Sequence, residues 1–143
     1  MEVFSPYIIT IVLAWVVSQG AKYLLVAIRQ RRIDHFRQLY LSGNMPSAHT
    51  ATVIALATLI GLEQGFGSAI FGLAALFAGV VMYDAVMVRR SSGEQGLAIQ
   101  QLIKEQKSKV ALPRAAKGHE PLEVLVGALV GALVGLVVFL ATK

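Results

Sequence analysis

Residues 121–141 read PLEVLVGALVGALVGLVVFLA, an apolar run broken by a single charge, Glu123, near its start. A helix needs about 20 such residues to cross about 30 Å of hydrocarbon, so the run is read as a membrane span. Upstream, residues 7–28, 47–62 and 68–88 repeat the pattern, and the charges gather between the runs. The 143-residue chain is 56% hydrophobic and 15% charged, too apolar for an ordinary soluble domain. Residues 1–143 are therefore expected to form a single membrane-embedded domain, an all-α polytopic helix bundle with four transmembrane helices.

Two segments depart from the simple pattern. Residues 47–62 are short for a full span and begin with polar residues, which places that start in a protein-lined cavity and not in lipid. Within the long loop 89–120, residues 94–106 bring Ile99, Leu102 and Ile103 to one helical face, the pattern of an interfacial helix and not of a fifth span. The first run follows a short N-terminus without basic residues and ends in an arginine cluster, so it is read as a span and not as a cleaved signal. With no cysteine in the chain, disulfide and thiolate chemistry are excluded.

Positive charge is one-sided. Arg29, Arg31, Arg32 and Arg37 follow the first span. Arg89, Arg90, Lys104, Lys107, Lys109, Arg114 and Lys117 follow the third, and the opposite side carries Lys143. Four spans put both basic loops on one side, so the loops are expected in the cytoplasm with both termini outside; five spans would split them. This bias, with attraction to anionic membrane lipids, accounts for the basic character of the chain. No aromatic-interleaved basic stripe points to nucleic acid.

Three places remain that topology does not explain, all on the cytoplasmic side. In Gly43–Thr50 a loop becomes a helix. Pro46 suits its first position, and the N–H groups of Ser47, Ala48 and His49 would face a phosphate, or the segment simply starts a helix. At the start of the last span, His119 and Glu123 are four apart. If the helix begins at or before His119 they share a face, and the carboxylate can fix the imidazole tautomer. The plain alternative is a cap and an interfacial carboxylate. Lys22 and Arg29, two helical turns apart at the end of the first span, could grip one anion, or Lys22 could snorkel to the interface.

Taken together, Lys22-x6-Arg29, Pro46-Ser47-Ala48-His49 and His119-x3-Glu123 resemble the type 2 phosphatidic acid phosphatase (PAP2) superfamily, and most of all its divergent, acid phosphatase and vanadium-dependent haloperoxidase-related branch. The flavour of that branch lies in Asn44–Thr50, in Met82-Tyr83-Asp84-Ala85 with Val88-Arg89-Arg90, and in Gly118–Val124. The resemblance covers nearly the whole chain. The chain departs from the superfamily pattern at Gln30 (for proline), Ala48 (for glycine), Glu123 (for aspartate) and Pro113 (for the arginine of the third motif).

The resemblance implies a membrane phosphatase, a hydrolase of lipid metabolism that needs no metal or other cofactor. His119 would be the nucleophile, Glu123 would hold its tautomer, and His49 would be the general acid and base. Lys22, Arg29, Ser47 and a guanidinium from Arg89, Arg90 or Arg114 would bind the phosphate. Asp84 would orient one of these arginines or bind a cation. His35 is read as interfacial.

Three functions follow as expectations. The first is a phosphatase acting on a polyprenyl phosphate or diphosphate, a phosphatidate or a similar lipid phosphate at the cytoplasmic face. The second is a non-catalytic lipid-phosphate binder or transporter. The third is a metal-dependent phosphatase using His49, His119, Glu123 and Asp84. Gly127, Gly131 and Gly135, at four-residue spacing, permit close helix approach, within the bundle or across a homodimer.

Overall fold

The computed structural model describes residues 5–30, 45–113, 115 and 118–143. Every regular element among them is helical: α1 (Pro6–Gln30), α2 (Ala48–Gln64), α3 (Ala69–Tyr83), a π-helical turn (Asp84–Val88), α4 (Arg89–Glu105) and α5 (Pro121–Ala141). Arg31, Arg32, His35, Arg37, Arg114 and Lys117, the side chain of Arg29 and the Gly43–Asn44 part of the second motif lie outside what is described.

The molecule is built for lipid, with large apolar side chains outward. Ile28 is 72% exposed and Leu76 67%, whereas the buried positions of α1 form a narrow file of small and polar residues, Thr10, Ala14, Ser18 and Lys22. Spaced four apart, they share one helical face. Three helical stretches are long and apolar enough to cross a membrane: Pro6–Ile28, Ala69–Glu105 and Pro121–Ala141. Four such helices were expected. The difference is α2, which at 17 residues is about 25 Å long. It is the central helix, packed against α1, α3 and α5, and it buries Ala48, Thr50, Ala51, Ala55, Ala57, Leu59, Ile60 and Gly61. A helix apolar all round and surrounded by others has that character because protein, not lipid, covers it.

Close packing of α2 on α5 sets the geometry of the bundle. A Cβ at Gly127 would stand 2.6 Å from the Ser47 carbonyl oxygen, one at Gly135 2.6 Å from that of Ala55, and one at Gly131 would collide with the Ala51 carbonyl. The matched increments on both helices make α2 and α5 parallel neighbours, with the glycine ridge occupied inside the chain. Gln64 Nε2 donates to Tyr7 Oη at 2.9 Å, so the end of α2 meets the start of α1 and those two run antiparallel.

The segment expected to be a separate interfacial helix is joined to the third span. α3, the π turn and α4 form one helical stretch, Ala69–Glu105, about 55 Å long against about 30 Å of hydrocarbon, so α4 extends past it. Leu97, Ile99 and Leu102 are exposed along α4 while Gly93 and Gly96 are buried. The chain then returns along this helix. Gln100 Nε2 donates to the Pro113 carbonyl at 2.6 Å, and Gly118 passes so close to Arg90 that a Cβ would stand 2.5 Å from its backbone nitrogen.

Candidate functional site

Because α2 and α5 are parallel, their first turns lie side by side, and a single hydrogen bond clamps them: Ser47 N–H donates to the Glu123 carbonyl at 3.1 Å. This changes the reading of the second motif. The helix begins at Ala48 with Ser47 as its cap, so Pro46 precedes the cap and does not occupy the first helical position. Ser47 is fully buried. Its Oγ accepts from Thr50 N–H at 3.4 Å and from Thr50 Oγ1 at 3.0 Å, and its own N–H is taken by α5. Capping is thus the role its geometry displays. Ala48 and His49 follow as the first two helical residues, and the His49 side chain is exposed.

Pro121 opens α5 and Glu120 caps it, so His119 lies before the helix. The His119–Glu123 pair nevertheless forms. The Glu123 carboxylate folds back over the helix start, where Oε2 accepts from Glu120 N–H at 3.2 Å and stands 2.9 Å from His119 Nδ1. An ionised carboxylate only accepts, so Nδ1 carries a proton, and in the neutral imidazole Nε2 then holds the lone pair. Both residues are buried, His119 at 5% exposure and Glu123 at 8%. A third element fixes the imidazole: His119 N–H donates to the Ala85 carbonyl, in the π turn, at 3.1 Å. That backbone anchor carries no side-chain signature and was not legible in the sequence.

Around this pair the structure gathers most of the expected residues. Lys22 of α1 is buried at 5% exposure and lies within the electrostatic reach of Glu123. Arg89, His119, Lys22 and Asp84 all lie within electrostatic reach of His49. Arg89 Nε donates to Asp84 Oδ2 at 2.7 Å. Arg90 points elsewhere, pairing with Glu94 at 3.1 Å across an exposed turn of α4. Beside His119 opens a groove of about 810 Å³ whose walls include Arg90, Gly93, Leu97, Gly118 and Pro121. Among the described residues no three histidine or carboxylate side chains converge as a metal-binding group.

Comparison with known proteins gives the family. Residues 4–134 match the family described as the Divergent PAP2 family. The chain belongs to that family. It is also 34% identical over 145 residues to a Bacillus subtilis (strain 168) protein described as "Uncharacterized membrane protein YuiD", an alignment that covers 90% of this chain and 91% of that one. No solved structure matches the chain. Family membership, the lipid-facing exterior and the apolar helices together make it a membrane protein of the divergent PAP2 type.

Proposed function

We propose that this divergent PAP2 protein is an integral membrane lipid-phosphate phosphatase working through a phosphohistidine on His119. The observation that carries the reading is the buried His119–Glu123 pair, with Nδ1 held at 2.9 Å from the carboxylate and the opposite nitrogen left as the nucleophile. In the first step the Nε2 lone pair attacks phosphorus while the bond to the lipid oxygen breaks. Protonated His49 gives its proton to the leaving oxygen. In the second step His49 takes a proton from water, the water oxygen attacks phosphorus and the N–P bond breaks. Inorganic phosphate leaves and His119 is restored.

The transferring phosphoryl group spreads negative charge over its equatorial oxygens, so fixed donors provide most of the catalysis. Lys22 and a guanidinium serve that purpose, and Glu123 stabilises the positive charge that develops on the imidazole. The substrate is a phosphomonoester or diphosphate of a lipid, of the polyprenyl phosphate or phosphatidate type, whose tail stays in the bilayer while its headgroup enters at the cytoplasmic face. In this topology α1, α2, α3 and α5 each cross the membrane, with the basic loops inside and both termini outside.

The test is phosphate release from lipid phosphates by detergent-solubilised protein. Wild type is expected to release phosphate, and His119→Ala to fall to background. Undiminished release by His119→Ala would overturn the nucleophile. A second reading, a lipid-phosphate binder without turnover, is favoured by Pro113, which stands at the arginine position of the third motif and offers only its carbonyl, to Gln100. Binding of lipid phosphate by wild type with no release would select it.

A further inference from the structure

The third helix departs from α geometry at one place, the π turn Asp84–Val88, where Arg89 N–H reaches back five residues to the Asp84 carbonyl. In a regular α-helix, residues five apart lie about 140° apart around the axis, too far round for their side chains to meet. The wider π turn brings them to one side, and there Arg89 Nε donates to Asp84 Oδ2 at 2.7 Å. Single π turns inside α-helices are uncommon and recur at functional sites. This turn also holds His119, through the Ala85 carbonyl. One irregularity thus sets both the nucleophile backbone and the direction of an arginine.

That arginine answers a deficiency. Pro113 leaves the third motif without its guanidinium, and Arg90 is engaged with Glu94 on the exposed side, the two side chains being 61% and 67% exposed. Arg89 has its Nε bound to Asp84, which leaves the two terminal nitrogens of the fork for an anion, and its charge bears on His49. We propose that Arg89, presented from the π turn, supplies the phosphate-binding guanidinium missing at Pro113, and that Asp84 is the positioning residue that aims it. The proposal rests on the phosphatase reading for its consequence in turnover, but the anion site it describes exists whether or not hydrolysis follows.

Two readouts keep these apart: equilibrium binding of orthovanadate, a phosphoryl mimic, by calorimetry, and hydrolysis of phosphatidate in mixed micelles. Arg89→Ala is expected to weaken orthovanadate binding about tenfold to a hundredfold, the worth of a lost hydrogen-bonded charge contact. Asp84→Ala should raise KM more than it lowers kcat, with partial recovery in Asp84→Glu, a pattern that a merely structural role would not produce. Arg90→Ala should bind orthovanadate like wild type. Arg89→Lys, which keeps the charge but not the fork, should also bind orthovanadate more weakly than wild type.

Wild-type orthovanadate affinity in Arg89→Ala, loss of affinity in Arg90→Ala instead, or no binding by wild type would each overturn the proposal. Loss of orthovanadate binding in Arg89→Ala alongside a wild type that hydrolyses nothing would uphold the anion site and remove the phosphatase reading.

Discussion

At Glu123 one residue performs three tasks. Its Oε2 takes the Glu120 N–H at the start of α5 and meets His119 Nδ1, while its main-chain carbonyl takes the N–H of Ser47. A carboxylate buried at a helix N-terminus is stabilised by free N–H groups and by the helix dipole, and Lys22 adds a positive charge within reach. The spacing His119-x3-Glu123 was legible as a pair. That it closes across a helix start, with His119 outside the helix, was not, because the closure depends on the Ala85 carbonyl. For Glu123→Gln the amide fills the same space but removes the negative charge that stabilises a phosphorylated imidazole. Phosphate release should fall roughly 10²- to 10⁴-fold while lipid-phosphate binding is largely kept. Stopped-flow or endpoint phosphate assays on the purified variant check this, and a loss below tenfold would contradict the role given to Glu123.

At the scale of the elements, α2 and α5 carry the site because nothing lies between them. The glycine spacing in α5 was readable as a close-approach ridge, but its partner was not, since small residues on α2 and on a second copy of α5 would look alike in sequence. The structure seats the ridge on the backbone of Ser47, Ala51 and Ala55. Gly131→Leu therefore drives a side chain into the Ala51 carbonyl and must part the two helices. A cost of about 1–3 kcal/mol, as for overpacked cores, is expected, with a lowered thermal midpoint by circular dichroism in detergent and a parallel loss of activity as Ser47 leaves Glu123. The neighbouring Leu133, 62% exposed, provides the control: Leu133→Ala should leave the midpoint nearly unchanged.

At the scale of the whole molecule, α1 runs antiparallel to α2 and α5 runs parallel to it, which brings Lys22, His49 and His119 to one end, the end from which α4 extends. Most of the buried polarity follows the same division: Lys22, Ser47, Thr50, His119 and Glu123 belong to that end, while Thr10 and Ser18 lie nearer the start of α1. The cysteine-free chain allows a direct test of crossing. A single cysteine at Gly67, between α2 and α3, should be labelled by an impermeant maleimide added outside intact cells, and one at Ser108, after α4, only after the membrane is opened. Labelling of both from the same side would refute a crossing by each helix.

The sequence by itself determined the membrane character, the helical class and the residue types of the site, because hydropathy, charge bias and short motifs are local properties that survive without contacts. It marked where polar groups interrupt apolar runs, and those places make up the candidate site. Only the tertiary structure decided that α4 continues α3 through a π turn, that Arg89 pairs with Asp84 while Arg90 turns to Glu94, and that α5 spends its glycines on α2. Each depends on which backbone groups approach across the bundle, and a carbonyl such as that of Ala85 is the same in every residue, so no reading of side chains could have singled it out.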